Sequence, residues 1–229
     1  MRNIIPVLVT SGKGGTGKTT TSINIAMNLA ERGIKVSLLD ADLLAPNTHL
    51  FLDVNKEKLR EAGKMLIPLK VGEHLEFMGL GVFIPRGVGV ALNYEKTADF
   101  ITTLLRFVKW SGDYLIIDAP PAAIDVNVKL FKELRGRARA VIVGEPHPFA
   151  IEDNLRILDL LRFFDIEVRA LVLNKYNMYQ EELARQVIDE YEVHAKRYGF
   201  KIVKIPWDPE LQVKTKPELF DEVVEVVVG

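Results

Sequence analysis

The stretch that decides the fold is SGKGGTGKTT, residues 11–20. Four of its positions satisfy the phosphate-binding pattern G-x-x-x-x-G-K-S/T, namely Gly12, Gly17, Lys18 and Thr19. An apolar run typical of a strand precedes the loop at residues 4–9, and apolar residues at helical spacing follow it to residue 32. A glycine-rich turn can match the pattern by accident, but a strand before it and a helix after it favour a phosphate site.

Each residue type in this loop has a physical role in holding a nucleotide. Glycines let successive backbone N–H groups turn toward one ligand, and the positive end of the following helix dipole attracts phosphate. We expect Lys18 to reach the β- and γ-phosphates and the Thr19 hydroxyl to ligate Mg²⁺. The remaining predicted contacts to the nucleotide are Gly12, Lys13, Gly14, Gly15, Thr16, Gly17 and Thr20.

Size and composition limit the classes of protein that the chain can form. Its 229 residues, 48% of them hydrophobic, can bury a full core, so we predict a single domain over residues 1–229. A net charge of −1 leaves no electrostatic footprint for nucleic acid or an anionic membrane. Zero cysteines exclude disulfides and thiolate ligation of a metal or iron–sulfur cluster by this chain. Without a long apolar run or a signal-peptide pattern, the expected location is the cytoplasm.

Further apolar, β-branched runs alternate with helical patterns along the chain. This alternation predicts an α/β fold, with a single doubly wound, mostly parallel sheet and helices on both faces. The further runs cover residues 34–39, 114–117, 140–143, 168–173 and 202–205. The later helices are expected at residues 94–109, 126–134, 149–163, 179–198 and 217–227. Ligands bind beyond the carboxyl ends of the strands in such sheets, so the chemistry should follow the apolar runs directly.

Polar residues and a proline follow four of these runs. They are Asp40 and Asp42, then Asp118, then Asn174, and finally Pro206 and Asp208. Aspartate and asparagine are also common in turns and helix caps, which is the simpler interpretation of each. In a chain with a phosphate-binding loop, however, an aspartate that ends an apolar strand favours a Mg²⁺ site.

The run at residues 12–20 resembles the deviant Walker A motif of the MinD, ParA and Mrp family of P-loop ATPases. The resemblance extends from residue 1 to about residue 216, and includes MGLGVFIPRG at residues 78–87 and DAPP at residues 118–121. It implies ATP and ADP as the nucleotides, with Mg²⁺, and a homodimer that closes around ATP. The extra lysine, Lys13, would contact the ATP of the other subunit in that dimer. Spacing alone leaves Lys13 open as an ordinary surface lysine.

The same resemblance assigns roles to the residues that follow the strands. Asp42 would orient or activate the attacking water, so the catalytic set is Lys13, Lys18 and Asp42. The Mg²⁺ shell would be Thr19, Asp40 and the Walker B acid Asp118. Asn174 would meet the edge of adenine, Pro206 would pack on the base, and Asp208 would lie near its amino group.

One departure from the family pattern follows the two prolines at residues 120 and 121. Mrp proteins commonly continue with Gly-Thr-Gly-Asp, whereas this chain has Ala122-Ala123-Ile124-Asp125. Ala122 replaces a glycine that would let a backbone amide approach the γ-phosphate, so a different switch II response is expected.

Three features indicate the branch of the family. The tail at residues 218–228 is acidic, the wrong sign for the anionic lipid that MinD proteins bind. Its apolar stripe is more simply core packing or a protein contact. Arg135, Arg137 and Arg139 are most simply a solvated turn, which disfavours the DNA binding of ParA proteins. Mrp scaffolds usually carry a C-x-x-C pair for a bridging iron–sulfur cluster, which this chain cannot have.

These observations predict an Mrp-like ATPase switch that serves another protein in metal-centre maturation. The specific form that we expect is nickel insertion into NiFe hydrogenase with a metallochaperone partner, as in the archaeal ATPase-type proteins with a HypB-like role. Three alternatives remain open. They are a MinD- or ParA-type positioning or partitioning ATPase acting on DNA or a cell-division partner, a kinase- or ligase-like enzyme, and a non-hydrolysing interaction module.

Overall fold

The computed structural model describes residues 4–42, 46–54, 60–62, 65–82, 94–120 and 124–229. Within these ranges the chain forms ten strands and seven helices. The strands are β1 Ile5–Thr10, β2 Val36–Asp40, β3 Arg60–Ala62, β4 Met65–Ile67, β5 Leu69–Lys70, β6 Leu75–Gly79, β7 Tyr114–Asp118, β8 Arg139–Gly144, β9 Glu167–Leu173 and β10 Lys201–Lys204. The helices are α1 Lys18–Glu31, α2 Thr48–Phe51, α3 Tyr94–Phe107, α4 Ile124–Leu134, α5 Pro148–Phe163, α6 Glu181–Tyr198 and α7 Asp221–Val228.

Eight of the strands form one sheet in the order β10-β9-β8-β1-β7-β2-β6-β5. Neighbouring strands are parallel except for the antiparallel pair β5 and β6. The predicted α/β fold with a mostly parallel sheet is confirmed. The sequence prediction missed β3, β4, β5 and β6. In β6, Glu76 interrupts the apolar run. The Glu76 carboxylate accepts hydrogen bonds from the hydroxyls of Ser37 and Ser111.

Both faces of this sheet are buried, as continuous apolar strands require. Successive residues of a strand point to opposite faces. Val7 and Val9 therefore pack in a layer with α1 and α7, whereas Leu8 packs in a second layer with α3, α4, α5 and α6. The central strand β1 lies between the two layers and ends at the phosphate-binding loop.

The C-terminal helix α7 belongs to the first layer. Four of its valines are buried, at positions 223, 224, 226 and 227. Arg169 and Arg139 donate hydrogen bonds to the carbonyl oxygens of Val226 and Val227 at the end of the helix. The apolar stripe of the acidic tail is thus used in core packing. No helix in the described ranges is long and apolar enough to cross a bilayer.

The predicted basic cluster is also engaged within the chain. Arg135 pairs with Asp165 at 3.1 Å, and Arg137 donates to the backbone carbonyl of Glu133 at 3.0 Å. Arg139 caps α7, as described above. Each of the three guanidinium groups therefore has a structural partner on its own chain.

Candidate nucleotide site

The phosphate-binding loop joins β1 to α1 and requires glycine at particular positions. Gly15 and Gly17 have φ angles of 79° and 97°, in the left-handed region that favours glycine. A Cβ atom on Gly17 would lie 2.2 Å from Nδ2 of Asn174, and one on Gly12 would lie 2.4 Å from the carbonyl carbon of Asp153 on α5. The loop is therefore held between the start of α5 and the end of β9.

Lys18 and Thr19 open α1, where the sequence predicted them to act on phosphate and Mg²⁺. Lys18 is 8% exposed, and burial lowers its pKa, partly opposed by the charges of Asp118 and Asp42. The Thr19 hydroxyl donates to Oδ2 of Asp118 at 2.6 Å, and the Ser22 hydroxyl donates to Oδ1 at 3.1 Å. Two predicted Mg²⁺ ligands from opposite halves of the chain are thus in direct contact.

Asp40, the third predicted Mg²⁺ ligand, lies opposite Asp118 in the register of β2 and β7. Both carboxyl groups are 1% exposed. Burial and repulsion by Asp118 raise the pKa of Asp40, against hydrogen bonds from Asp42 and Thr48. Burial also raises the pKa of Asp118, against the hydrogen bond from Thr19 and the charge of Lys18. Two buried carboxyls and a hydroxyl are the hard oxygen donors that Mg²⁺ takes, and a cation would stabilise their ionised forms.

The two remaining predicted catalytic residues are Asp42 and Lys13. Asp42 is half-buried just after β2, and its charge acts on Lys18, Asp40 and Asp118. Lys13 is exposed on the loop. The structure thus separates a buried lysine, Lys18, from one that faces outward.

A polar cluster from the ends of β8 and β9 contacts the same loop. Asn174 donates from Nδ2 to the Thr16 carbonyl at 2.8 Å. Lys175 donates from Nζ to the Gly15 carbonyl at 3.0 Å and pairs with Oε1 of Glu145 at 2.6 Å. The Tyr179 hydroxyl donates to Oε2 of Glu145 at 2.8 Å.

This cluster controls the ionisation of Glu145. Burial works against the carboxylate, but hydrogen bonds from Lys175 and Tyr179, with the charges of Lys175 and Lys13, outweigh it and lower the Glu145 pKa. The exposed Lys13 is therefore close enough for its charge to act on Glu145.

The predicted base-flanking loop follows β10. Pro206 is exposed there, and the Asp208 carboxylate accepts hydrogen bonds from the Lys216 ammonium and from the backbone N–H of Glu210. Asn177 binds the backbone of Trp207 at both ends of its side-chain amide. These contacts tie the loop after β10 to the loop after β9. The contacts of Asn174, Pro206 and Asp208 with adenine remain predictions.

Sequence reasoning missed Glu145, Lys175 and Asn154. Asn154 is 3% exposed on α5, accepts the Gly12 N–H at 3.2 Å, and donates to the buried Tyr191 hydroxyl at 2.9 Å. A signal for it was present, because Asn154 is a polar residue on the apolar stripe of α5 that includes Ile151 and Leu158. A buried amide in such a stripe needs a partner, and here the partner is the phosphate-binding loop.

Some predicted features lie outside the described residues. These are Ala122 and Ala123, the side chain of Asp125, and residues 83–87 of the MGLGVFIPRG stretch. The expected change in switch II therefore stays a prediction.

The fold and the site together define a P-loop nucleotide-binding protein. Comparison with known families identifies the family to which it belongs. The family model described as ParA: NUBPL iron-transfer P-loop NTPase matches residues 2–218, so the chain belongs to this family. Its sequence is 32% identical over 176 residues to the cytosolic Fe-S cluster assembly factor CFD1 of Kluyveromyces lactis, covering 73% of this chain and 62% of that protein. It is 30% identical over 220 residues to the iron-sulfur cluster carrier protein of Aquifex aeolicus, covering 91% and 59%. The chain thus spans about three fifths of the length of these relatives.

Solved structures share the fold. A nucleotide-binding protein of Archaeoglobus fulgidus in complex with ADP has a TM-score of 0.71 and 23% identity, covering 98% of this chain and 88% of that one. The septum site-determining protein MinD of Pyrococcus horikoshii, complexed with Mg-ADP, has a TM-score of 0.65 and 20% identity, covering 98% and 94%. At this identity the likeness concerns the fold alone. The predicted membership of the MinD, ParA and Mrp group of P-loop NTPases is confirmed by the family match.

Proposed function

We propose that this protein is a Mg²⁺-dependent ATPase switch that dimerises around ATP and serves the assembly or transfer of iron–sulfur clusters. One observation carries the proposal: an exposed Lys13, a buried Lys18 and the Thr19–Asp118 contact meet at one edge of the sheet. The family model that the chain matches is described as an iron-transfer P-loop NTPase. Solved relatives of the fold that hold ADP or Mg-ADP support the choice of nucleotide.

In this proposal the residues of the chain divide the work of hydrolysis. Backbone N–H groups of the loop and Lys18 bind the polyphosphate and offset its charge. Thr19, Asp40 and Asp118 hold Mg²⁺, which when bound neutralises charge on the β- and γ-phosphate oxygens. Asp42 orients a water for attack on the γ-phosphorus, with ADP as the leaving group.

The proposed dimer is what the resemblance to the MinD, ParA and Mrp family implies for Lys13. An ammonium on the outer side of the loop adds to the positive charge of Lys18, and the two repel unless anionic groups lie between them. ATP between two subunits supplies those groups, because each Lys13 then reaches the phosphates bound by the other subunit. Assembly is thereby linked to the triphosphate.

The proposed client is a protein that receives or lends an iron–sulfur cluster. Both curated relatives carry names of cluster assembly or cluster transfer. Because this chain has no cysteine, thiolate ligands for such a cluster must come from a partner, and the chain supplies the nucleotide cycle.

Nickel delivery to a hydrogenase is the narrower form of the proposal. The names of the relatives mention iron and sulfur, so nickel gains no support from them and stays a prediction. The single domain over residues 1–229 and the cytoplasmic location also stay predictions. DNA or membrane positioning gains no support from the site, since the arginine cluster and α7 are engaged within the chain.

Two measurements test the proposal. Steady-state phosphate release from ATP is expected for the wild type and is expected to fall about 100-fold or more in Asp42→Asn, the size of a general-base contribution. ATP binding should persist in that variant. Equal rates of phosphate release in the two proteins would show that hydrolysis does not require Asp42.

The client is tested by affinity capture in ATP and in ADP, with iron, sulfide and nickel measured in the captured partner. An iron- and sulfide-containing partner retained in one nucleotide state supports the proposal. A nickel-loaded partner supports the narrower form, and nucleotide-dependent capture of DNA or lipid instead of protein contradicts both.

A further inference from the structure

Two consecutive carbonyl groups of the phosphate-binding loop are held by side chains at the end of β9. The Thr16 carbonyl accepts from Nδ2 of Asn174 at 2.8 Å, and the Gly15 carbonyl accepts from Nζ of Lys175 at 3.0 Å. Asn174 is 7% exposed, and its Oδ1 accepts the backbone N–H of Lys175 at 2.9 Å. That second bond sets which end of the amide faces the loop.

Peptide planarity converts these two bonds into an orientation of N–H groups. In a trans peptide the C=O and the following N–H point in opposite directions. The Gly15 carbonyl shares its peptide plane with the Thr16 N–H, and the Thr16 carbonyl shares its plane with the Gly17 N–H. Holding both carbonyls toward the end of β9 turns both N–H groups the other way, away from β9.

The ammonium of Lys175 is itself fixed by a second shell of contacts. Glu145 accepts from it at 2.6 Å, and the Tyr179 hydroxyl donates to the other oxygen of that carboxylate at 2.8 Å. The backbone of Lys175 has a φ of 57°, which costs free energy for a residue other than glycine. The Lys175 backbone adopts this conformation at the residue whose side chain reaches the loop.

We propose that Asn174 and Lys175 are positioning residues that orient the loop N–H groups toward phosphate. They should therefore raise the affinity for the polyphosphate itself, whether or not the ligand has a base. This deepens the proposed function and rests on it. The predicted contact of Asn174 with adenine gives the opposite expectation. In that case Asn174 would affect the affinity only of ligands that have a base.

The test compares ATP with inorganic tripolyphosphate, a ligand that has no base. Dissociation constants of both, in Mg²⁺, are measured by titration calorimetry on the full chain. Asn174→Ala and Lys175→Met are expected to weaken both ligands by the same factor, about tenfold, or about 1.4 kcal/mol. Lys175→Arg keeps a charged donor and should return both affinities to within about twofold of the wild type.

Lys175→Met also leaves Glu145 without its cation. The double variant Lys175→Met, Glu145→Gln removes the unpaired carboxylate and isolates the bond to Gly15. It should weaken both ligands as the single variant does. Full recovery of affinity in the double variant would show that the stranded charge caused the loss and would contradict the inference.

Asn177→Ala is the matched control, since Asn177 lies three residues farther along and binds the backbone of Trp207. It should weaken ATP and leave tripolyphosphate unchanged. Loss of ATP affinity alone in Asn174→Ala would assign Asn174 to the base and overturn the inference. A wild type that binds neither ligand would instead overturn the proposed function. Unfolding temperatures are recorded in parallel. If Asn174→Ala does not fold, the variants of the partly exposed Lys175 test the inference instead.

Discussion

Lys13 is exposed at the tip of the phosphate-binding loop, beside the exposed Gly14 and Gly15. Its charge contributes to the low pKa of Glu145 on the same chain, whose principal cation is Lys175. An outward lysine that its own subunit does not bury is available to a second subunit. At the scale of single residues, the loop therefore carries one buried lysine, Lys18, and one exposed lysine, Lys13.

Replacing Lys13 with alanine should separate assembly from binding. We expect Lys13→Ala to abolish ATP-dependent dimerisation, measured by light scattering, while ADP affinity stays within about threefold of the wild type because Lys18 remains. Lys196→Ala is the control, since Lys196 is an exposed lysine on α6 that pairs only locally with Glu192 at 3.0 Å. A Lys13 variant that also fails to bind ADP would contradict the cross-subunit role.

Gly17 tests how closely the loop is packed. Gly17→Ala should lose ATP binding, since a Cβ there meets Nδ2 of Asn174 at 2.2 Å and the φ of 97° adds about 1–2 kcal/mol of strain. Gly33→Ala has a similar φ of 78° but open space around its Cβ. Gly33→Ala should therefore lower the free energy of unfolding, measured in urea, only by the backbone strain, and it should bind ATP normally. Equal ATP binding in the two variants would contradict the packing argument.

At the scale of elements, strand register brings the acidic groups together. β2 and β7 are adjacent and parallel, and each ends in an aspartate, so Asp40 and Asp118 lie opposite each other. Gly79 at the end of β6 faces Asp40 from the other side, where a Cβ would lie 2.8 Å from that of Asp40. The site is thus crowded on both flanks of β2, and the acids have little access to water.

This register predicts an unusual pH dependence of stability without metal. Burial, followed by repulsion from Asp118, raises the pKa of Asp40 from 3.8 to about 8. The folded state then binds more protons than the unfolded state between these values, so the free energy of unfolding falls as pH rises through this window. The slope from one such proton approaches about 1.4 kcal/mol per pH unit.

Urea unfolding in EDTA between pH 5 and pH 8 measures this slope. Asp40→Asn lacks the titration, so its stability should fall less steeply with pH than that of the wild type. Saturating Mg²⁺ and ADP should reduce the wild-type slope, because a cation favours the ionised carboxylates. Identical slopes for the two metal-free proteins would mean that Asp40 is already ionised in the folded state.

At the scale of the whole molecule, the C-terminal tail and helix α1, which follows the nucleotide loop, share one layer of the core. Asn28 of α1 donates to the carbonyl of Pro217 and to the carboxylate of Asp221, and the backbone N–H of Lys216 donates to Asn24 of the same helix. The helix that carries Lys18 and Thr19 is therefore held by residues nearly 200 positions away.

Two phenylalanines measure this coupling. Phe220 is 1% exposed where the chain enters α7, and Phe163 is 72% exposed at the end of α5. Phe220→Ala should lower the free energy of unfolding by about 3–5 kcal/mol, as for a buried phenylalanine. Phe163→Ala should change it by less than about 0.5 kcal/mol. If Phe220→Ala lowered the free energy of unfolding as little as Phe163→Ala, the tail would not be part of the core.

The fold was largely predictable because its strands are buried on both faces and read as apolar runs. Helices α3, α4 and α5 and strands β1, β7, β8, β9 and β10 lie within two residues of their predicted bounds. The missed strand β6 contains a glutamate, Glu76, whose carboxylate accepts hydrogen bonds from two serines. A polar residue satisfied by distant partners leaves no periodic signal.

The candidate residues for phosphate and Mg²⁺ could be proposed from the order of amino acids, since glycine conformations, a lysine at a helix start and aspartates at strand ends are local requirements of such binding. Those requirements act over a few adjacent residues. The contacts of Asn154, Asn174 and Lys175 with the loop join segments 142 to 160 positions apart in the chain. No local pattern records such a pairing. It exists only because the parallel strands bring their carboxyl ends to one edge of the sheet, and there the tertiary structure decides which side chains contact the loop.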